Sequence, residues 1–385
     1  MLHYTMRILF IFDTVAPYAG GSQIAVFNWI RNLTEMGIEV RILCDQNIFQ
    51  LENNLKPTSY IINESKNLGK YFANFSLPLL LKKDSKRKII EFNPDVIHLQ
   101  EQSTISYQVV KFVKDIHKPV LTSYHGDYNN FKSNQFPLSL FIKKNGLINI
   151  GLAKLQTITL KNSGYLTAPT EYYQNFLMTR YKKKVYVLRN PISNYFFRPK
   201  KKIRSPEKLI TFSRLSGEKN IPVLIEMMKY MKDKITLTIV GEGIDKEYLK
   251  NLVKKFAVDH LVTFVGWKNH TELPSLLNKH DLFVSCSNFE SFGLTYIEAL
   301  ATHTPCIVYD YPVSREVIPS GTAIFIKNKN PKKWAQQIMN LHTNPLLFRQ
   351  LEDNITKKYD EIMQYHEKTS TKELIQIYKN ILDIA

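Results

Sequence analysis

The sequence predicts an α/β protein of two domains, each built on a parallel sheet. Short continuous apolar runs, typical of strands buried on both faces, alternate along the chain with segments that have apolar residues at helical spacing. A strand–helix–strand order requires parallel strands, because the helix returns the chain to the starting edge of the sheet. The length of 385 residues is sufficient for two domains, and 44% hydrophobic with 22% charged residues is ordinary for a globular protein.

The first strand–helix–strand unit occupies the amino terminus. Residues 8–12 and 39–44 are apolar strands, and the segment between them places apolar residues on one helical face before it ends at Gly37. Gly20 and Gly21 lie in the turn before this helix. Glycine there either lets the backbone approach a ligand closely or forms a plain tight turn, and the pattern alone favours neither.

Further apolar runs extend both sheets and define the domains. The basic stretch 198–206 is predicted to be a linker, which gives domains at residues 1–195 and 206–370. We predict the other strands at residues 95–99, 119–124, 165–168, 185–188, 209–213, 235–240, 262–265, 282–285 and 305–309, and helices at 104–116, 331–341, 346–363 and 371–385, with two more beginning near 245 and 293.

The most informative stretch is residues 282–310. It predicts a buried strand, a polar turn, a helix that begins near Gly293 and a second buried strand. A glycine turn that opens a helix directs free backbone N–H groups outward, and this arrangement binds phosphate. Glu290 and Glu298 flank the turn, and carboxylates suit the hydroxyl groups of a sugar. A nucleotide sugar carries both kinds of group and fits the pattern.

Three motifs in the second half carry a family resemblance. The phrase Glu290-Ser-Phe-Gly-Leu-Thr-Tyr-Ile-Glu298 resembles the E-x7-E signature of retaining glycosyltransferases of the GT-B fold, most closely glycosyltransferase family 4. The next residues are similar to the family's EAMACGTPVV segment, with His303 where the family usually has glycine. Residues 214–220 resemble its GRL…EKG motif, with Ser213 and Asn220 at the two glycine positions.

This resemblance implies a GT-B fold, in which two Rossmann-like parallel-sheet domains face each other across a cleft. The terminal helix, residues 371–385, would pack back on the first domain. The first domain would bind the acceptor and the second the nucleotide sugar. Family members retain anomeric configuration without a metal ion, and no Asp-x-Asp metal motif occurs in this sequence. We therefore expect neither a metal ion nor a cofactor.

The predicted catalytic residues come from both halves. Arg214 offers a bidentate grip on phosphate oxygens and Lys219 a compact charge, so together they could neutralise a departing diphosphate; a solvated loop is the alternative. By resemblance, Glu290 meets the sugar hydroxyls, Glu298 the ribose hydroxyls, and His125 the sugar from the first domain, although a lone histidine is usually structural. The resemblance or the turn pattern assigns donor binding to Gly20, Gly21, Gly241, Gly266, Trp267, Ser291, Phe292, Gly293 and Leu294, with Trp267 either stacked on the base or packed in the core.

The expected reaction moves a hexose from a nucleoside diphosphate sugar, with a UDP-sugar favoured over GDP-mannose. The acceptor would be a hydroxyl of a lipid, a lipid-linked glycan or a polysaccharide in cell-envelope synthesis. A GT-B epimerase acting on nucleotide sugars is one alternative, and it would need acid and base carboxylates in place of Arg214 and Lys219. A non-catalytic carbohydrate-binding homologue is another, and it would lack Arg214, Lys219 and Glu290, which are present.

The net charge of +18 is unevenly distributed. Residues 1–200 contain 26 Lys and Arg against 13 Asp and Glu, and no acidic residue occurs between Asp127 and Glu171. A positive field favours an anionic partner, either a membrane surface or a polyanion; a lysine-rich surface without a partner is the alternative. No helix-turn-helix, ribonucleoprotein or zinc pattern occurs, so we expect no nucleic acid partner.

Two basic segments of the first half could meet a membrane. Residues 71–90 join aromatic and leucine residues to a basic cluster, which is typical of an interfacial helix or of an ordinary surface helix. Residues 128–161 are interpreted as the acceptor-side wall or a membrane-facing helix pair. The three cysteines lie in apolar runs, and neither a signal peptide nor a run of membrane-spanning length occurs. We expect a cytoplasmic protein, peripheral on the cytoplasmic face of the membrane.

Overall fold

The computed structural model describes most of the chain as two compact units. It describes residues 5–12, 21–44, 59–63, 80–102, 104–126, 147–197, 206–231 and 234–383. Unit 1 comprises Met1–Pro191 with Glu367–Ala385, and unit 2 comprises Ile192–His366. Each unit contains a parallel sheet flanked by helices, so the predicted α/β class is confirmed.

Unit 1 is organised around a seven-stranded sheet in the order β3-β2-β1-β4-β5-β6-β7. Every pairing in it is parallel. The central strand is almost fully buried, because its side chains pack under helices on both faces. Its strands are β1 (Arg7–Ile11), β2 (Glu39–Cys44), β3 (Ser59–Ile62), β4 (Val96–Leu99), β5 (Val120–Ser123), β6 (Tyr165–Ala168) and β7 (Val185–Val187). Its helices are α1 (Gly21–Glu35), α2 (Lys83–Phe92), α3 (Thr104–Ile116), α4 (Leu147–Asn162), α5 (Glu171–Tyr181) and the terminal α14 (Glu367–Leu382).

Unit 2 repeats this plan on a six-stranded parallel sheet in the order β10-β9-β8-β11-β12-β13. The strands are β8 (Lys208–Phe212), β9 (Thr236–Val240), β10 (Val262–Gly266), β11 (Leu282–Ser285), β12 (Cys306–Tyr309) and β13 (Ala323–Ile326). The helices are α6 (Ile221–Met227), α7 (Lys246–Lys255), α8 (Leu273–Asn278), α9 (Leu294–Ala301), α10 (Pro312–Val317), α11 (Pro331–Thr343), α12 (Pro345–Lys357) and α13 (Tyr359–Met363).

Both sheets reverse their strand order beside the first strand of the unit. In unit 1, β2 lies on one side of β1 and β4 on the other. In unit 2, β9 lies on one side of β8 and β11 on the other. Helices that follow neighbouring strands at such a switch point pack on opposite faces, and the crevice at the carboxyl ends of those strands is where α/β sheets bind ligands. In unit 2, the loops after β8 and β11 contain Arg214, Lys219, Glu290 and Gly293.

The terminal helix α14 packs on α1 in unit 1. Trp29 donates its indole N–H to Ser370 Oγ at 2.8 Å, and Arg31 forms an ion pair with Glu367 at 2.6 Å. Leu374 and Tyr378, both fully buried, belong to the same core as the first strand. This helix begins at Glu367, four residues before the predicted start.

One helix that was predicted to be continuous is interrupted in the structure. Residues 346–363 form two helices, α12 and α13, which are separated at Lys358. Lys358 has φ −107° and ψ 19°, which is outside the helical region. Tyr359 explains the break, because its hydroxyl donates to Ala301 O at 2.8 Å and its ring stacks on His303 at 4.4 Å between centroids.

Parts of five predictions lie outside the described residues. These are Gly20, residues 71–79 of the predicted interfacial helix, residues 128–146 of the basic apolar segment, residues 198–205 of the linker, and residues 384–385 of the terminal helix. What the structure describes of the two basic segments is helical, namely α2 and α4. None of the helices in the described part of the chain has the length and apolar character needed to cross a bilayer.

Candidate active site

Two loops of unit 2 lie against each other at the carboxyl ends of β8 and β11. They are adjacent because β8 and β11 pair directly in the sheet. Glu218 O in the first loop accepts a hydrogen bond from Asn288 N in the second at 2.8 Å. Asn220 donates its side-chain amide to Cys286 Sγ at 3.2 Å. The two loops are therefore fixed to each other through both backbone and side chains.

Lys219 and Glu290 form an ion pair between these loops. Lys219 Nζ lies 2.7 Å from Glu290 Oε1, and the two side chains are only 18% and 16% exposed. Partial burial strengthens such a pair relative to one in open solvent. Sequence reasoning placed both residues in the candidate site, and the structure brings them into direct contact.

Arg214 belongs to the same loop but is held differently. Its side chain is exposed, and its guanidinium makes no hydrogen bond or ion pair with any described residue. The backbone around it is fixed, since Arg214 O accepts from Ser216 N and from Ser213 Oγ, both at 3.1 Å. The loop thus presents one paired cation, Lys219, and one cation whose donors are available.

Glycines after β9 support this loop. A Cβ at Gly241 would lie 1.9 Å from Ser213 O, and one at Gly243 would lie 2.2 Å from Leu215 O. Gly241 has φ +136°, which side-chain-bearing residues rarely adopt. Its N–H donates to Gly266 O at 2.8 Å. The geometry gives Gly241 and Gly266 a supporting position behind the Arg214 loop.

Gly293 opens helix α9 in a conformation that favours glycine. Its φ of +82° is left-handed, and an added Cβ would meet the Tyr296 ring at 2.5 Å. Phe292 is 1% exposed and packs edge-on against Tyr365, so its side chain belongs to the core. Ser291 and Leu294 are half-buried on either side. The predicted helix start is confirmed, and Phe292 could contribute only its backbone amide to a ligand.

Tyr296 was not singled out from the sequence. It is 1% exposed, and burial, with the nearby Glu290 charge as a further cause, raises the pKa of its phenol well above the ordinary value. The Tyr296 phenol therefore stays neutral beside Glu290. Its ring also explains why residue 293 is glycine.

Glu298 is 4% exposed and already has a protein partner. Its Oε1 lies 2.6 Å from His270 Nε2, and His270 Nδ1 lies 2.5 Å from the Tyr195 hydroxyl. Neither His270 nor Tyr195 was recognised from the sequence. The Asn269–Glu272 capping box marks the turn that holds His270, but no local pattern indicates a partner 28 residues away.

Trp267 follows β10 directly and is 42% exposed. Packing in the core was one of two interpretations of this residue, and that interpretation is wrong. Trp267 lies at the carboxyl end of an edge strand, and an exposed indole there is compatible with base stacking. This role stays a prediction.

In unit 1, His125 follows β5 as predicted and forms a pair with Gln100, which follows β4. His125 Nε2 lies 3.1 Å from Gln100 Oε1. Burial lowers the pKa of His125 to about 4, so its imidazole is neutral at pH 7. His125 Nδ1 and Gln100 Nε2 are both buried and have no hydrogen-bond partner in the described part of the chain. Gly21 begins helix α1 in the same unit.

His98, which lies two residues before Gln100, is fully satisfied. Its two ring nitrogens lie 2.8 Å from the Tyr378 and Ser123 hydroxyls. Burial, with a smaller effect from His125, lowers the pKa of His98 to about 3. His98 is therefore a structural histidine, in contrast to its neighbour His125. Within the described residues no group of three or more His, Cys, Asp and Glu could hold a metal ion, and metal independence stays a prediction.

Family models match the chain in two consecutive parts. The model described as Glycosyltransferase Family 4 matches residues 19–194, and the model described as Glycosyl transferases group 1 matches residues 194–358. The boundary between them falls near Ile192, where the structure begins unit 2.

Two similar curated proteins carry the same name, alpha-monoglucosyldiacylglycerol synthase. The one from Streptococcus pneumoniae is 26% identical over 337 residues, which cover 81% of this chain and 73% of that protein. The one from Acholeplasma laidlawii is 24% identical over 380 residues, which cover 92% of this chain and 93% of that protein.

Solved structures support the fold. A glycosyltransferase from Rickettsia africae superposes with a TM-score of 0.74 at 18% identity and covers all of both chains. Anabaena Alr3699/HepE in complex with UDP-glucose superposes with a TM-score of 0.74 at 15% identity, covering 97% of this chain and 100% of that one. Consecutive matches to both models, on two units that each repeat the same parallel-sheet plan, show that this chain belongs to the GT-B glycosyltransferases of family 4 and is a glycosyltransferase enzyme.

Proposed function

We propose that this enzyme is a retaining hexosyltransferase that takes a hexose from a nucleoside diphosphate sugar, with a UDP-sugar favoured over GDP-mannose. The observation that carries the proposal is the Lys219–Glu290 pair, which joins the two loops at the carboxyl ends of β8 and β11. Unit 2 binds the nucleotide sugar in this assignment, and unit 1 binds the acceptor.

The diphosphate is assigned to the cationic side of the site. Lys219 has three N–H donors and uses one toward Glu290, while the Arg214 guanidinium is available in full. Backbone amides at the start of α9 (Phe292, Gly293 and Leu294) add the positive end of the helix dipole. Donors fixed in advance stabilise the charge that develops on the departing diphosphate. These groups carry out that task without a metal ion.

Glu290 is assigned to the hexose hydroxyls. Its Oε1 is held by Lys219, which fixes the direction of the carboxylate beside the neutral Tyr296 phenol. Same-face attack assisted by the departing phosphate would retain the anomeric configuration, with the new glycosidic bond forming as the sugar–phosphate bond breaks. The acceptor hydroxyl proton passes to a phosphate oxygen in that step. His125 supplies a neutral imidazole for a hydroxyl group in unit 1.

A lipid or lipid-linked acceptor is supported by two independent features. Both alpha-monoglucosyldiacylglycerol synthases resemble the chain over most of its length. In addition, helix α2 carries a basic cluster, and Ile90 on it and Leu80 just before it are 54% and 72% exposed. Apolar side chains beside lysines suit an anionic membrane surface. We assign the enzyme to the cytoplasmic face of a membrane, in cell-envelope glycolipid or glycan synthesis.

The test is an acceptor and donor panel on the full chain. Labelled UDP-glucose, UDP-galactose, UDP-N-acetylglucosamine and GDP-mannose are each incubated with vesicles that contain diacylglycerol or a glucosyldiacylglycerol, in anionic or zwitterionic lipid. We expect an α-linked glycolipid product with one UDP-sugar, and faster transfer on anionic vesicles. A Leu80→Ser, Ile90→Ser double variant should lose vesicle binding while it keeps donor binding.

Three outcomes would contradict the proposal in separable ways. A β-linked product would overturn retention. Equal vesicle binding on both lipids, unchanged in the double variant, would overturn the membrane assignment. Conversion of a UDP-sugar to its epimer without any acceptor would replace transfer by the epimerase alternative.

A further inference from the structure

Glu298, in the candidate nucleotide site, belongs to a hydrogen-bonded chain with two part-buried side chains that no sequence motif marked. Glu298, His270 and Tyr195 are joined by hydrogen bonds of 2.6 Å and 2.5 Å. The Glu298 side chain is 5% exposed and that of His270 is 16% exposed. Short hydrogen bonds between side chains that are largely shielded from water are stronger than the same bonds in solvent.

The imidazole ring of His270 is fixed from several sides. The Phe196 ring lies 4.9 Å from it between centroids, and the Tyr195 ring lies 5.6 Å away edge-on. Because the ring is fixed, its Nε2 is directed at one oxygen of Glu298. The Tyr195 phenol binds Nδ1 and so keeps the ring from turning over.

The consequence for Glu298 is that only one carboxylate oxygen remains for another partner. Oε1 is taken by His270, and Oε2 has no partner among the described residues. A carboxylate on a helix normally samples several rotamers, and fixing it in advance removes that entropy cost from ligand binding.

We propose that His270 is a positioning residue, held in register by Tyr195, that orients Glu298 to accept hydrogen bonds from the ribose of the nucleotide. This inference rests on the proposed function, because it requires that Glu298 meets a ribose. A purely structural role for His270 would stabilise unit 2 but would not distinguish a ribose from its deoxygenated form.

The experiment measures affinity of the full chain for UDP and GDP, each compared with its 2′,3′-dideoxy form, by calorimetry. In the wild type we expect the ribose form of one nucleotide to bind about 10-fold or more tighter, because hydrogen bonds to a buried carboxylate are lost in the dideoxy form. His270→Leu should weaken the ribose form by roughly 10-fold and leave the dideoxy form unchanged. His270→Gln, which keeps an N–H donor, should recover most of the loss.

Tyr195→Phe provides a milder variant that keeps the ring and its packing. It should weaken the ribose form by about 3-fold and spare the dideoxy form. In turnover, we expect His270→Leu to raise KM for the donor with a smaller change in kcat, as for a residue that affects binding of the non-reacting part of the substrate.

Two results would overturn the inference, one measured in the variants and the other in the wild type. If His270→Leu and Tyr195→Phe weaken ribose and dideoxy forms equally, or weaken neither, the positioning role fails while the nucleotide assignment stands. If the wild type itself binds both forms equally, or binds neither nucleotide, then Glu298 does not meet a ribose and the proposed donor site fails together with this inference.

Discussion

The polar groups of the candidate sites in unit 1 and in unit 2 are arranged in opposite ways. In unit 2 the key polar groups are bound to one another, as Lys219 with Glu290 and His270 with Glu298. In unit 1 the His125–Gln100 pair keeps buried hydrogen-bonding atoms that no described residue satisfies. One region is preorganised by its own contacts, and the other leaves hydrogen-bonding capacity for a ligand.

This difference suggests two modes of ligand binding on one repeated sheet plan. Charged groups that orient each other before the ligand arrives need little rearrangement during a reaction, which is the condition for electrostatic stabilisation of a departing group. Buried atoms without partners cost stability in the free protein, and a ligand hydroxyl that satisfies them recovers that free energy.

The largest expected effect comes from breaking the Lys219–Glu290 pair. Lys219→Met or Glu290→Gln should lower kcat by roughly 100- to 1,000-fold, because each removes a fixed group at the reacting end of the donor. The double variant should be little worse than either single variant, since residues that act as a unit are not additive. Steady-state kinetics with the accepted donor measures this.

Lys229→Met provides the matched control in the same unit. Lys229 lies 4.0 Å from Glu226 in a partly exposed pair away from the two loops, so its loss should leave kcat unchanged. Near-normal turnover in the Lys219 and Glu290 variants would show that the preorganised pair has no part in catalysis.

The next largest effect tests the support behind the Arg214 loop. Gly241→Ala should destabilise unit 2 by about 1–3 kcal/mol and weaken donor binding, because its methyl group would overlap Ser213 O. Gly151→Ala in helix α4 is the control, since a Cβ there meets nothing within 4 Å. That change should stabilise by about 0.5–1 kcal/mol. Chemical denaturation of both variants shows whether the loss of stability in Gly241→Ala comes from the contact with Ser213 O or would follow from alanine at any glycine position.

The third prediction uses pH to examine the unsatisfied pair in unit 1. The folded pKa of His125 is about 4, below the unfolded value of 6.5, so the unfolded chain takes up a proton first on acidification. Stability should therefore be full above about pH 6.5 and fall toward pH 4, by about 1.4 kcal/mol per pH unit for each buried histidine. Denaturation at pH 7, 6 and 5 measures the slope.

His125→Gln should reduce this slope by the contribution of one histidine. A slope that is unchanged in His125→Gln would mean that the imidazole is hydrated rather than buried. Binding of the acceptor or the sugar should also stabilise the wild type against unfolding more than it stabilises the His125→Gln variant, because the ligand would satisfy His125 Nδ1.

The smallest effect concerns His303, which occupies a family glycine position in unit 2. His303 has φ +57°, and the turn is closed by hydrogen bonds from Thr304 N to Ala299 O and from His303 N to Leu300 O. His303→Gly should change stability by less than about 1 kcal/mol, because relief of the left-handed backbone offsets loss of the Tyr359 stack. His303→Ala should cost about 1 kcal/mol more than the glycine variant. Equal melting temperatures for the two would contradict this account.

Local patterns in the sequence predicted what depends on neighbouring residues. The strands Glu39–Cys44, Tyr165–Ala168 and Leu282–Ser285 match the predicted bounds, since an apolar run of four to six residues identifies a buried strand. The start of α9 at Gly293 was equally predictable from a glycine that precedes an amphipathic run. The edge strands β3 and β13 were not predicted.

Contacts between distant residues could not be predicted in this way. His270 and Glu298 are 28 positions apart, and His125 and Gln100 are 25 apart, so neither pairing has a local signature. Gly241 was expected to face a ligand, yet the atom nearest to its missing side chain is Ser213 O of the protein's own loop. Spacing alone cannot distinguish a glycine that admits a substrate from one that admits a neighbouring backbone.

The residues at which unit 2 begins and ends are paired with each other. The chain passes between its two units at residues 191–192 and 366–367, and Ile192 N donates to Tyr365 O at 2.7 Å beside a parallel bridge to His366. This backbone pairing fixes the first and last residues of unit 2 relative to each other. Tyr195, three residues after Ile192, connects this paired segment to the Glu298 carboxylate through the His270 imidazole.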